Sequence, residues 1–145
     1  MELSESMNTP APLIRDALIA AIQGADTGIP IDQIRASYDV SGEPRGPASV
    51  IVSCADLGGH NGMRQRILVD CKATVTVMTH MDEDLAGNLS DDILNAIIPV
   101  IQSIDPVMDG WKVRHVTPWQ SSDPTTDGAF RIVELSTTLY TQKLN

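Results

Sequence analysis

Ile67-Leu68-Val69-Asp70-Cys71-Lys72-Ala73-Thr74-Val75-Thr76-Val77 decides how this chain reads. Ile67, Val69, Cys71, Ala73, Val75 and Val77 fall on every second position, with Asp70, Lys72, Thr74 and Thr76 between them, and strand side chains alternate with a period of two. The stretch predicts one long strand with a buried and a wetted face, as an antiparallel sheet covered on one side allows. Upstream, Val50-Ile51-Val52-Ser53-Cys54 is a β-rich run. Between the two lies Gly58-Gly59-His60-Asn61-Gly62, where Asn61-Gly62 is a strong hairpin signal. A turn there sets Cys54 opposite Val69 and Cys71 opposite Val52.

Helical periods flank this hairpin. Thr9-Pro10 opens a stripe of Leu13, Ile14, Ala17, Leu18, Ala21 and Ile22, and Gly24 closes it. Met81, Asp82, Glu83 and Asp84 end the long strand and open a second helix on Leu85, Leu89, Ile93, Ile97 and Ile101, its acidic start suiting the helix dipole. Pro99 deletes a backbone donor inside that pattern and predicts a kink or break. After the Asp109-Gly110 turn, Trp111, Val113, His115, Thr117 and Trp119 recur at period two, and Phe130 to Tyr140 forms a last strand. The expected fold is α+β, a mainly antiparallel four-stranded sheet of two hairpins packed against two helices in the order α-ββ-α-ββ. One domain spans 1–145, with 1–9 a flexible N-terminus. Residues 25–49 form a Pro/Gly-rich excursion, with a short helical turn near Asp32 to Ser37.

Composition narrows the function. A chain of 145 residues is one ordinary domain in size, and 3% aromatics imply an aliphatic core. The formal charge of -9 opposes non-specific adhesion to nucleic acid or anionic lipid. The start, Met1 to Thr9, has neither the basic nor the apolar region of a secretory signal, and no apolar run is long enough to span a bilayer. Two cysteines, Cys54 and Cys71, make no disulfide framework, so a soluble protein of the cytoplasm is expected.

Candidate chemistry is sparse. Cys54, His60, Cys71 and His80 lack the ligand spacing of a metal site, and Cys71 reads as a packing residue. Asp82-Glu83-Asp84-Leu85-Ala86-Gly87 echoes a calcium loop, but the oxygens required at the fifth and twelfth positions are missing, being Ala86 and Ile93. Gly58 to Gly62 precedes a strand and not a helix, so it reads as a hairpin tip and not a phosphate cradle. No nucleophile motif occurs, and neither a catalytic residue nor a cofactor is expected. Trp111, His115 and Trp119 would share one strand face, a stacking platform or simply core filling. His115 with Asp70 and Glu134 is the one polar cluster a small ligand-binding or enzymatic domain would use.

The layout also resembles a known family. The N-terminal helix, the Pro-rich excursion, the strand Pro47-Ala48-Ser49-Val50-Ile51-Val52, the long alternating strand, the helix containing Ile98-Pro99-Val100 and the closing Leu135 to Tyr140 are similar to the tail-terminator, or tail-completion (minor tail), proteins of long-tailed bacteriophages. The resemblance covers roughly residues 10–141 and rests on element order and these short matches. It implies a structural virion protein, assembled in the bacterial cytoplasm and located in the tail. Such a protein forms a homo-oligomeric ring, most often a hexamer, whose partners are the tail tube protein and the head-side connector. Another neck or connector protein of the virion is the alternative. For the subunit interface, the sequence offers Arg64 and Arg66 on the hairpin arm against Asp82, Glu83 and Asp84 at the helix start, opposite charges that suit head-to-tail pairing.

Overall fold

The structure, a computed structural model, describes residues 9–36, 48–61, 67–84, 87–103, 107–108 and 110–144, and of 59–61 and 107–108 the backbone. Helix α1 (Pro10–Gln23) buries Ile14, Leu18 and Ile22 on one stripe, and α2 (Asn88–Ile101) buries Ile93, Ile97 and Ile101 on another. Strands β1 (Ile34–Ala36), β2 (Ala48–Asn61), β3 (Ile67–His80), β4 (Val107–Met108), β5 (Trp111–Val116), β6 (Gln120–Ser121), β7 (Thr125–Asp127) and β8 (Phe130–Lys143) complete the described residues. The helices lie on one face of the sheet, α1 over β1, β2 and β3, and α2 over β3. Val50, Val52, Cys71, Ala73, Val75, Val77, Leu135 and Leu139 meet them there. Each fully buried Ile, Leu or Val contributes roughly 1.5–3 kcal/mol, so this mainly aliphatic interface, joined by Trp111, carries the fold.

The four-stranded antiparallel expectation is overturned. Among the described residues the protein is α+β with two helices, but its sheet is mixed and eight-stranded, in the order β1-β2-β3-β8-β5-β4, with β6 and β7 also on β8. β1 pairs in parallel with β2, Ile34 opposite Val50, and adds an edge inside the stretch read as an excursion. Its Ile34 and Ala36 are buried, and Gln23 Nε2 donates to the carbonyls of Ile31 at 3.3 Å and Ile34 at 3.2 Å, tying it to the end of α1. The helical turn expected at 32–37 is a short 3-10 turn at Ile31–Gln33 instead. Residues 1–8 and 37–47 lie outside the described residues.

The last hairpin is also broken up, and prolines explain where. β5, β6 and β7 run successively along the same side of β8, interrupted before Pro118 and Pro124. Proline cannot donate to a ladder, and at the two gaps side-chain hydroxyls accept from backbone N–H groups of β8. Thr138 N donates to Thr117 Oγ1 at 2.9 Å, and Glu134 N donates to Ser122 Oγ at 3.0 Å.

The first hairpin keeps its faces but not its register. Cys54 stands opposite Ala73 and Cys71 opposite Asp56, because β2 continues through Gly58 to Asn61 and passes a bulge at Leu57. Asn61, assigned to the turn, is the last residue of β2, and Gly62 lies outside the described residues. A slip by an even number of residues preserves which side chains face the core, so the alternation survives the error. Pro99 does not end α2, which continues to Ile101. Pro99 and Asn95 are both exposed, so solvent can meet the Asn95 carbonyl that Pro99 has no N–H to bond.

Candidate functional site

The helix-free face of the sheet carries a row of directly paired residues. Gly58 on β2 pairs with Asp70 on β3, Asp70 with Tyr140 on β8, and Tyr140 with His115 on β5. A bulge at Arg114 builds this row. Trp111 and Val113 point into the core, but the extra residue returns His115 to the open face beside Tyr140. The imidazole then stacks on the Tyr140 ring, with centroids 5.8 Å apart and planes 25° from parallel. Leu68, Asp70, Arg114, His115, Tyr140 and Thr141 line an open groove of about 460 Å³. Among the described residues, neither Asp70 nor Arg114 has a hydrogen-bonding or ionic side-chain partner.

The expected platform of Trp111, His115 and Trp119 is therefore split. Trp111 is buried on the helix side, His115 is exposed on the other, and Trp119 packs against the rim of the core with its Nε1 unpaired among the described residues. A period-two reading has no means of seeing the bulge that separates them. His115 and Asp70 do share the groove, whereas Glu134 sits six residues down β8 from Tyr140, roughly 20 Å away at strand rise. Its Oε2 accepts from Thr76 Oγ1 at 3.4 Å, in a separate polar furrow with Lys72, Gln120 and Ser136.

The acidic helix start divides as well. Asp82 and Glu83 are exposed, but Asp84 is turned inward and buried. Its Oδ2 accepts from Thr79 Oγ1 at 2.7 Å, and its Oδ1 accepts from the backbone N–H of Leu89 at 2.8 Å and of Ser90 at 3.1 Å. Gly87, in the left-handed region at φ 79°, occupies the cap position without a side chain, so Asp84 caps α2 from three residues upstream. Arg131 Nε stands 3.8 Å from Oδ2. Burial alone would raise the Asp84 pKa, but the bonds from Thr79, Ser90 and Leu89 outweigh it and hold the carboxyl below its ordinary value. Of the candidate interface, Asp82 and Glu83 remain as surface charges, and Arg64 and Arg66 lie outside the described residues.

The thiols behave as packing groups. Cys71 Sγ donates to Asp56 Oδ1 at 3.4 Å, and the adjacent Cys54 thiol, burial and the Asp56 carboxylate push the Cys71 thiol well up, away from the reactive thiolate. Among the described residues, no three His, Cys, Asp or Glu side chains converge as metal ligands. His80 meets Phe130 edge-on at 4.8 Å. No helix among the described residues is long and apolar enough to cross a membrane. Set against protein-family profiles and curated protein sequences, the chain finds no match.

Proposed function

We propose that this chain is a structural subunit of a bacteriophage virion, forming a ring that caps the tail tube, ends its polymerisation and presents a surface for joining the head. The observation that carries the reading is the one-sided layering of the long elements. Both described helices pack on one face of a sheet whose strands β2, β3 and β8 each run 14 residues, and no described element covers the other face. A 14-residue strand pair whose outer face holds Thr, Ser, Lys and Glu offers broad polar surface to protein partners. A charge of -9 suits a lumen that repels DNA and lets it pass. The test is to add the purified chain to polymerising tail tube protein. Tubes should stop lengthening and show ring-shaped density at one end. Tubes that elongate unchanged, with bare ends, overturn the reading.

A second reading, a small ligand-binding domain, is favoured by the groove alone. Its volume falls within the usual range of ligand pockets, but it is open to solvent along the sheet face, where pockets typically enclose most of their ligand. The shape suits a protein surface better.

A further inference from the structure

The two ends of the sheet differ in charge and in apolar exposure. One, the hairpin end, gathers the last residues of β2, the first of β3, β5 and the end of β8. Of the large apolar side chains that are exposed, Leu57, Ile67, Val116, Tyr140 and Leu144 are all there, and Ile31 and Met81 are not. Aromatics make up 3% of the chain, and Trp111, Trp119 and Phe130 are at least partly buried, yet Tyr140 is left 39% exposed. Lys112, Arg114 and Lys143 stand at this end, together with the acids Asp56 and Asp70. Both bulges interrupt the strands here, at Leu57 and at Arg114.

The opposite, cap end is the more strongly acidic of the two. Asp82 and Glu83 follow the end of β3, Asp127 precedes β8, and Asp91 and Asp92 are exposed in the first turns of α2. Arg131 at that end is turned to Asp84. Strands of 14 residues put roughly 45 Å between the two ends, so the complementary charges cannot meet within one chain.

We infer that the hairpin end is a docking surface for a second copy of this chain, whose cap end seats against it with Tyr140 as the anchor. Exposed tyrosine and arginine beside aliphatic side chains make the composition of an interface centre. Arg114 has no intramolecular ionic partner among the described residues, and the second copy's Asp82, Glu83 or Asp127 would supply one. Asp70, lining the same groove, refuses a second acidic group in the wrong position and so sets register. The contact is heterologous, joining unlike surfaces, and so repeats from copy to copy until a ring closes. The inference rests on the ring reading only for that closure.

Sedimentation of the full chain across concentration, at low and high salt, tests it. The parent should form an oligomer that loosens as salt rises. Tyr140→Ser and Arg114→Glu should each weaken association by roughly thirtyfold, the scale of an interface hot spot. Adding Asp82→Lys and Asp127→Lys to Arg114→Glu should recover part of it. Circular dichroism and the melting point guard against unfolding, and Asp16→Asn, on the exposed side of α1, should leave association unchanged. An oligomer indifferent to Tyr140→Ser and Arg114→Glu overturns the inference but spares the ring reading. An oligomer that both variants dissolve, but that images as open filaments, spares the inference and overturns the ring. A parent monomeric at every concentration overturns both.

Discussion

At the cap end of the sheet Asp84 is fully engaged, whereas at the hairpin end half-buried Asp70 and exposed Arg114 have no partner among the described residues. Asp84 holds Thr79, two backbone donors of α2 and the approach of Arg131, so strand, helix and β8 are locked through one buried carboxylate. The hairpin end instead has two bulges, exposed aliphatics and a stacked His115–Tyr140 pair over an open groove. Both ends belong to the same long strands, so the difference comes from side chains and from the two bulges in the pairing. Burying a carboxylate demands complete hydrogen bonding, which fixes one geometry, while leaving charges bare keeps them available to another molecule.

That contrast makes unequal predictions for substitution at the two ends. Ile97→Ala, beneath α2 at the centre of the core, sets the upper reference and should cost about 2–5 kcal/mol in denaturant unfolding. Asp84→Ala should cost about 2–4 kcal/mol, because the donors of Thr79, Leu89 and Ser90 lose their acceptor, and Asp84→Asn should cost less. Gly87→Ala should cost about 1–3 kcal/mol, since a methyl group at φ 79° is strained and would stand 3.1 Å from Arg131 Nη2. Arg114→Glu and Asp70→Asn should change monomer stability by no more than about 0.5 kcal/mol, whatever they do to association. Equal losses at both ends would erase the distinction.

Acid sharpens the same comparison. The folded-state pKa of Asp84 lies below its ordinary value of 3.8, so its contribution is present above that value and is lost as pH falls through the lowered one. The melting point should drop more for the parent than for Asp84→Asn between about pH 5 and pH 2. Identical acid limbs would show that Asp84 is not the group responsible.

How much of this was legible beforehand depends on the range of the interactions involved. The alternation from Ile67 to Val77 and the stripes of α1 and α2 are local periods, and the chain obeys them. β1 is three residues, Ile34, Arg35 and Ala36, too few to show a period, and it exists because β2 offers an edge. The bulge at Arg114 likewise arises from pairing with β8, so Trp111 and His115 looked like neighbours on one face. Asp84 reads as one of three acids in a row, yet Thr79 and the start of α2 draw it inside. Some of the break-up of the second hairpin was readable, since Thr117-Pro118 and Ser122-Asp123-Pro124 each place a hydroxyl before a residue that cannot donate. The hairpin-end groove, by contrast, is assembled from three strands, β3, β5 and β8, and has no contiguous signature.

Self-assembly is the claim on which the account turns, and negative-stain imaging of the purified chain addresses it most directly. The account predicts closed rings of uniform diameter with a central opening, abundant at low salt and sparse for Arg114→Glu. A field of separate, compact monomers at every concentration and salt would contradict it.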